Sequence, residues 1–199
     1  MSNGPESQKW NMGKLGAELE RQANDYHDLG VEKDSIMRLL TPRPDRWPQK
    51  LSIPVVTLGS SVEIERQLDF VCISSRIGLS SLHDVGGGIT YPEPHLIWMQ
   101  NGKKNLDVSV EWVYDHLQTN ERPATLADGV AFAITHWANM RSILEDYVMV
   151  FPGSAIRINT EISSRPYLYS VLNRYLALDC RRVTNGYHNP AWGFATCGE

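Results

Sequence analysis

The chain has 199 residues, of which 42% are hydrophobic and 21% charged. That length suits one domain with a sizeable core, and the composition excludes wholesale disorder. A formal net charge of −4 argues against a nucleic-acid partner, which needs a dominant basic surface; no run approaches the roughly 18 apolar residues of a membrane span.

The N-terminus has no charged start followed by an apolar stretch, so no secretory signal is expected. Residues 1–13 are read as a flexible tail, and 14–199 as one domain. Three cysteines, Cys72, Cys180 and Cys197, lie far apart. So sparse and odd a set is no disulfide framework and points to a reducing, cytoplasmic setting, with a Cys180–Cys197 bridge as the alternative.

From Lys14 to Leu29, Leu15, Leu19, Ala23, Tyr26 and Leu29 recur at helical spacing, and Gly30 stands where a left-handed C-cap belongs. Glu18, Arg21, Asp25 and Asp28 lie on the opposite face, which reads as solvated. A short helix is predicted from about Asp34 to Leu40, then a proline-stiffened linker from Thr41 to Pro48. Ile53 to Leu58 reads as a strand, and helix is favoured for Ser61 to Phe70. Ser80 to Pro94 should be loop, His95 to Gln100 a buried strand, Asn101-Gly102 a turn, and Val110 to Leu117 a helix.

The clearest helix begins at Thr125, where Thr125 and Asp128 form a capping-box pattern. Leu126, Val130, Ala133, Ile134 and Trp137 make one face, so this helix is expected against a sheet built largely from the final quarter of the chain. It continues or restarts through Met140 to Leu144. Tyr147 to Phe151 is a short strand. Arg165 to Cys180 is open between helix and a hairpin turning at Asn173-Arg174.

Four groups of residues could carry function. Cys180 lies beside Arg181 and Arg182, which would lower a thiol's pKa, and His188 could act as its base. The bland reading is a buried, inert thiol. Gly86, Gly87 and Gly88 could present amides to an anion, but no helix follows them, so a surface loop fits better. His83, Asp84, Glu93 and His95 form a mixed ligand set; no metal site or cofactor is assigned. Trp47, Tyr187 and Trp192 lie in turn-like segments and could build a binding surface, or merely cover the core edge. His136 reads as a hydrogen-bonded, semi-buried residue and Asp128 as a cap.

The terminal stretch Trp192-Gly193-Phe194-Ala195-Thr196-Cys197, the segment from Thr125 to His136, and the pair Arg21-Gln22 together resemble a bacterial family of domains of unknown function. The resemblance implies a coherent fold over about residues 15 to 199, a cytoplasmic bacterial setting, and strands for Tyr167 to Cys180. It implies no activity.

The expected architecture is α+β: N-terminal helices and a mainly antiparallel sheet with one apolar helix packed on it. The expected function is a non-catalytic module binding a protein or small molecule, without nucleic acid or membrane. The alternative is a thiol-dependent hydrolase or transferase using Cys180 and His188. Oligomeric state is left open.

Overall fold

The side chain of Asn11 accepts from Lys14 N at 2.9 Å, so the first helix, α1, starts at its cap and runs over Met12–Tyr26. That start lies two residues inside the segment read as tail. Trp10 is docked as well, its Nε1 donating to Ser52 O at 2.9 Å. The computed structural model describes residues 10–40, 51–157, 163–171, 175–183 and 189–198. The proline-rich linker at 41–48 and the turn residues Asn173 and Arg174 lie outside them.

A 3-10 turn follows α1 and ends at Gly30, whose φ of 80° is the left-handed conformation the sequence called for. Then come α2 (Lys33–Met37), β1 (Ile53–Thr57) and α3 (Ile64–Phe70). The short β2 (Ser74–Ser75) and β3 (Leu82–Asp84) interrupt a loop-rich stretch. β4 (His95–Gln100) and α4 (Val110–Asp115) follow. The remainder is β5 (Arg122–Pro123), α5 (Leu126–Thr135), α6 (Trp137–Asp146), β6 (Val148–Val150), β7 (Ser154–Arg157), β8 (Ser163–Val171), β9 (Tyr175–Arg182), β10 (Trp192–Phe194) and β11 (Thr196–Gly198). The fold is α+β with mainly antiparallel strands. Among the described residues no helix is long and apolar enough to cross a membrane.

Two sheets share one main core, and a smaller cluster packs around α4 and β10. The first has the order β1-β4-β11-β5 and is antiparallel throughout. The second is built on the β8–β9 pair, registered from Ser164↔Arg182 to Val171↔Tyr175, which settles residues 165–171 and 175–180 as strands. β6 and β7 flank β8 on its other side, and β10 runs parallel to β6. The last strand changes sheets at Ala195. Its N–H donates to Val150 O in the second sheet, and its carbonyl accepts from Ala124 N beside the first.

α5 starts at this crossing. Thr125 Oγ1 accepts from Asp128 N at 3.3 Å and Asp128 Oδ2 accepts from Thr125 N at 2.8 Å, closing the capping box. All ten α5 residues are buried. The helix packs on β1, between α1, α3 and α6. This corrects the expectation that the last quarter shields it: that quarter adds only β11 to the sheet beneath α5, and β8 backs α6 instead. The run breaks at His136, with φ −129° and ψ 41°. Trp137 therefore opens a new helix and is 37% exposed rather than inward.

Candidate functional site

Glu18, Arg21, Gln22 and Asp25 stand at helical steps of three and four on α1, so one face carries them all. Arg21 is held between Glu18 (Nη2 to Oε1, 2.5 Å) and Asp25 (Nη1 to Oδ2, 2.6 Å). The α5–α6 break brings His136 against this row, its Nε2 3.5 Å from Glu18 Oε1. The imidazole stacks on Phe132 with ring centroids 5.1 Å apart, and its Nδ1 meets Thr135 Oγ1 at 2.8 Å. The result is a cleft of about 530 Å³ between α1 and the helix junction. Its lining includes Glu18, Arg21, Asp25, Ile134, His136 and Trp137.

The floor of this cleft is drier than its rim. Side-chain exposure is 12% for His136 and 16% for Glu18, against 44% for Arg21 and 34% for Asp25. Burial, reinforced by the Arg21 charge and only partly offset by Glu18, pushes the His136 pKa down to about 4. The ring is neutral near neutral pH. Burial also acts to raise Glu18, but the hydrogen bonds from Arg21 and Gln22 and the Arg21 charge outweigh it, so Glu18 sits below the usual carboxylate range. Burial and the nearby Glu18 raise Asp25, with Arg21 opposing them.

A second polar group is buried where α5 meets the final strand. Arg122 Nη1 lies 2.7 Å from Asp128 Oδ2, and the Cys197 thiol donates to the same oxygen at 3.6 Å. Glu121 bonds the Thr196 hydroxyl, and Gln100 Nε2 donates to Phe194 O at 2.7 Å. A hollow of about 240 Å³ touches this group at Asn120, Glu121, Arg122 and Gly198. Its carboxylates already accept from protein donors, so this cluster reads as a latch joining β5, α5 and β11. His136 and Asp128 thus have the roles their sequence positions predicted.

The other sequence candidates form no site among the described residues. All three cysteines are free, so Cys180 and Cys197 do not pair. Burial and the Asp179 charge raise the Cys180 thiol, the opposite of the activation expected from Arg181 and Arg182. His188, Tyr187 and Trp47 lie outside the described residues. Trp192 is only 5% exposed and packs in a second core cluster with Val110, Val113, Val150 and Phe194. It is a core residue rather than part of an exposed aromatic surface.

Two of the three glycines serve close packing, and Gly87 serves the turn, with a φ of 87°. A Cβ on Gly86 would lie 2.6 Å from the Tyr114 ring, and one on Gly88 would lie 2.2 Å from Gly153 O. Asp84 closes the loop by accepting from Thr90 N at 2.6 Å. His83 Nδ1 meets Ser81 O and His95 stacks on Tyr91, so the mixed ligand set is dispersed. Among the described residues no three His, Cys, Asp or Glu side chains converge as metal ligands.

Sequence reasoning assigned Glu18, Arg21 and Asp25 to a solvated face and missed the cleft they line. No family model, curated protein or solved structure matches this chain.

Proposed function

We propose that the protein is a non-catalytic binding module of the bacterial cytoplasm, and that its ligand site is the cleft between α1 and the α5–α6 junction. The observation that carries this reading is the cleft itself. Its volume of about 530 Å³ falls in the range of small-molecule sites, roughly 300 to 1,000 Å³. It combines an apolar wall at Ile134, an exposed Trp137, and charged groups held in place by one another. Binding rather than turnover fits the pairing of its charged groups, since Arg21 already holds both the Glu18 and the Asp25 carboxylate. The raised Cys180 thiol counts against the thiol-enzyme alternative. The resemblance to a bacterial domain family of unknown function, together with the free thiols, supports the cellular setting.

Amide and indole NMR spectra of the full chain test the reading, recorded against a panel of small cations, anions and neutral polar molecules. Saturable shifts confined to Thr135 through Asn139 and to α1 are expected with at least one class. A panel that leaves these signals in place overturns it.

A further inference from the structure

The charges in the cleft do not cancel. Glu18 and Asp25 contribute two carboxylates, Arg21 one guanidinium, and neutral His136 none. The end charges of the two helices meet at His136 with opposite sign, so the side chains decide the local field. That field is negative.

Hydrogen bonding adds direction. The Thr135 hydroxyl has one proton and gives it to Ala131 O at 2.9 Å. With the hydroxyl proton assigned to Ala131 O, His136 Nδ1, 2.8 Å from the same oxygen, is the donor between them. Nε2 is left as an acceptor, facing the Glu18 carboxylate at 3.5 Å. Glu18 Oε1 already accepts from Arg21 Nη2 and Gln22 Nε2, so the open acceptor is His136 Nε2, and a donor carrying positive charge would satisfy it beside the carboxylate. Arg21 supplies such charge from one side only, and its side chain is 44% exposed. Room beside it is lined by Ile134 and Trp137. An alkyl stem can lie on apolar surface there while its charge is held by carboxylates, and an indole face adds cation–π attraction.

We infer that the cleft accepts a primary alkylammonium group, seated on Glu18 and Asp25 with its alkyl stem beside Ile134 and Trp137. The same chemistry is offered by a free diamine and by a lysine side chain. The inference rests on the binding reading above and deepens it. A metal ion is a poorer match, because no third ligand converges there among the described residues.

The test is an NMR titration of the full chain near neutral pH at low salt, with four probes. Cadaverine represents the free diamine, an acetyl-Gly-Lys-Gly-amide peptide the lysine side chain, 1-pentanol the neutral control and glutarate the anion. Cadaverine or the peptide should move the Trp137, Ala138 and Asn139 signals saturably. Whichever of the two binds more tightly identifies the source. Pentanol and glutarate should bind at least about tenfold more weakly, and Asp25→Asn should weaken the cation about tenfold, a difference of roughly 1.4 kcal/mol. Asp25 lies on the rim, 34% exposed, so this variant should keep the fold.

Equal or stronger response to pentanol or glutarate overturns the cation while leaving the cleft a binding site. So does cadaverine binding that Asp25→Asn does not change, or that is spread over carboxylates elsewhere on the surface. Silence of the cleft signals towards all four probes overturns the cation and the binding site together.

Discussion

The side-chain amide of Gln22 pairs with the backbone around Val56 as a neighbouring strand would. Val56 N donates to Gln22 Oε1 at 2.7 Å, and Gln22 Nε2 donates to Pro54 O at 2.8 Å. Among the described residues β1 is an edge strand, with β4 on one side alone. An open edge leaves backbone groups to seek another chain. Here α1 and the residues just ahead of it close it: Tyr26 Oη donates to Val56 O at 2.5 Å and Trp10 Nε1 to Ser52 O. Pro54, which has no N–H to satisfy, suits this edge.

Replacing Gln22 should therefore cost more than its place on an amphipathic helix suggests. Gln22→Ala leaves a buried donor and a buried acceptor without partners, at about 1–3 kcal/mol each. A loss of about 2–4 kcal/mol is expected in urea unfolding. Gln22→Glu keeps the shape but removes the donor to Pro54 O, and should also destabilise. Wild-type midpoints for both variants would refute the edge-closure role.

Gly129 sets two known effects against each other. In an α-helix, Gly→Ala ordinarily stabilises by about 1 kcal/mol. Here the added Cβ would lie 2.0 Å from Phe151 Cε1, and that ring is fully buried. Overpacking of this kind costs about 1–3 kcal/mol, so Gly129→Ala should destabilise on balance. Combining it with Phe151→Leu should recover part of the loss, with a coupling of about 1 kcal/mol or more. Additive effects in that cycle would show that the clash is not the cause.

Features coded by neighbours in sequence were legible without coordinates. Thr125 with Asp128 announced a helix start, Gly30 a helix end, and the apolar run from His95 to Gln100 a strand. Each rests on local hydrogen bonding or periodicity. The cleft was not legible, because Glu18 and His136 meet only through tertiary packing. A charged face on an amphipathic helix looks the same whether it meets water or another element. Trp137 failed for a local reason: Thr135 and His136 carry no glycine or proline to mark the break. The sheet change at Ala195 left no signal either, since β10 and β11 read as one short apolar run.

The three thiols should separate cleanly by reactivity. Cys72 is exposed, Cys180 half-buried and Cys197 fully buried. With an aromatic disulfide reagent, Cys72 should react at once, Cys180 slowly, and Cys197 only on unfolding. Burial first, and the Asp128 charge second, raise the Cys197 thiol well above its usual range. Cys180 is also raised, so its alkylation should accelerate only above the ordinary thiol pKa of about 8.5. Rapid alkylation of Cys180 well below that pH would revive the thiol enzyme.

Stability should fall on mild acidification, and His136 should be a main cause. Its folded pKa is about 4, against about 6.5 when unfolded. Between those values the unfolded chain binds the proton and the folded chain does not, so protonation favours unfolding. The stabilisation is complete above the unfolded value and drains away as pH drops towards the folded one. Glu18, held below its usual range, loses its own contribution at lower pH, beneath the main part of this window. His95 is lowered by burial and the Arg122 charge and adds in the same direction as His136. Among the described residues the two groups facing His136 with charge are Glu18 and Arg21, both on α1. A shift of this size, at 1.36 kcal/mol per unit and discounted for residual solvent contact, amounts to about 2–3 kcal/mol. His136→Asn cannot take up the proton, so its stability curve from pH 7 to 4 should be flatter than wild type by that amount. Parallel curves for the two proteins would show that His136 is solvated and ordinary, and that the floor of the cleft is open to water.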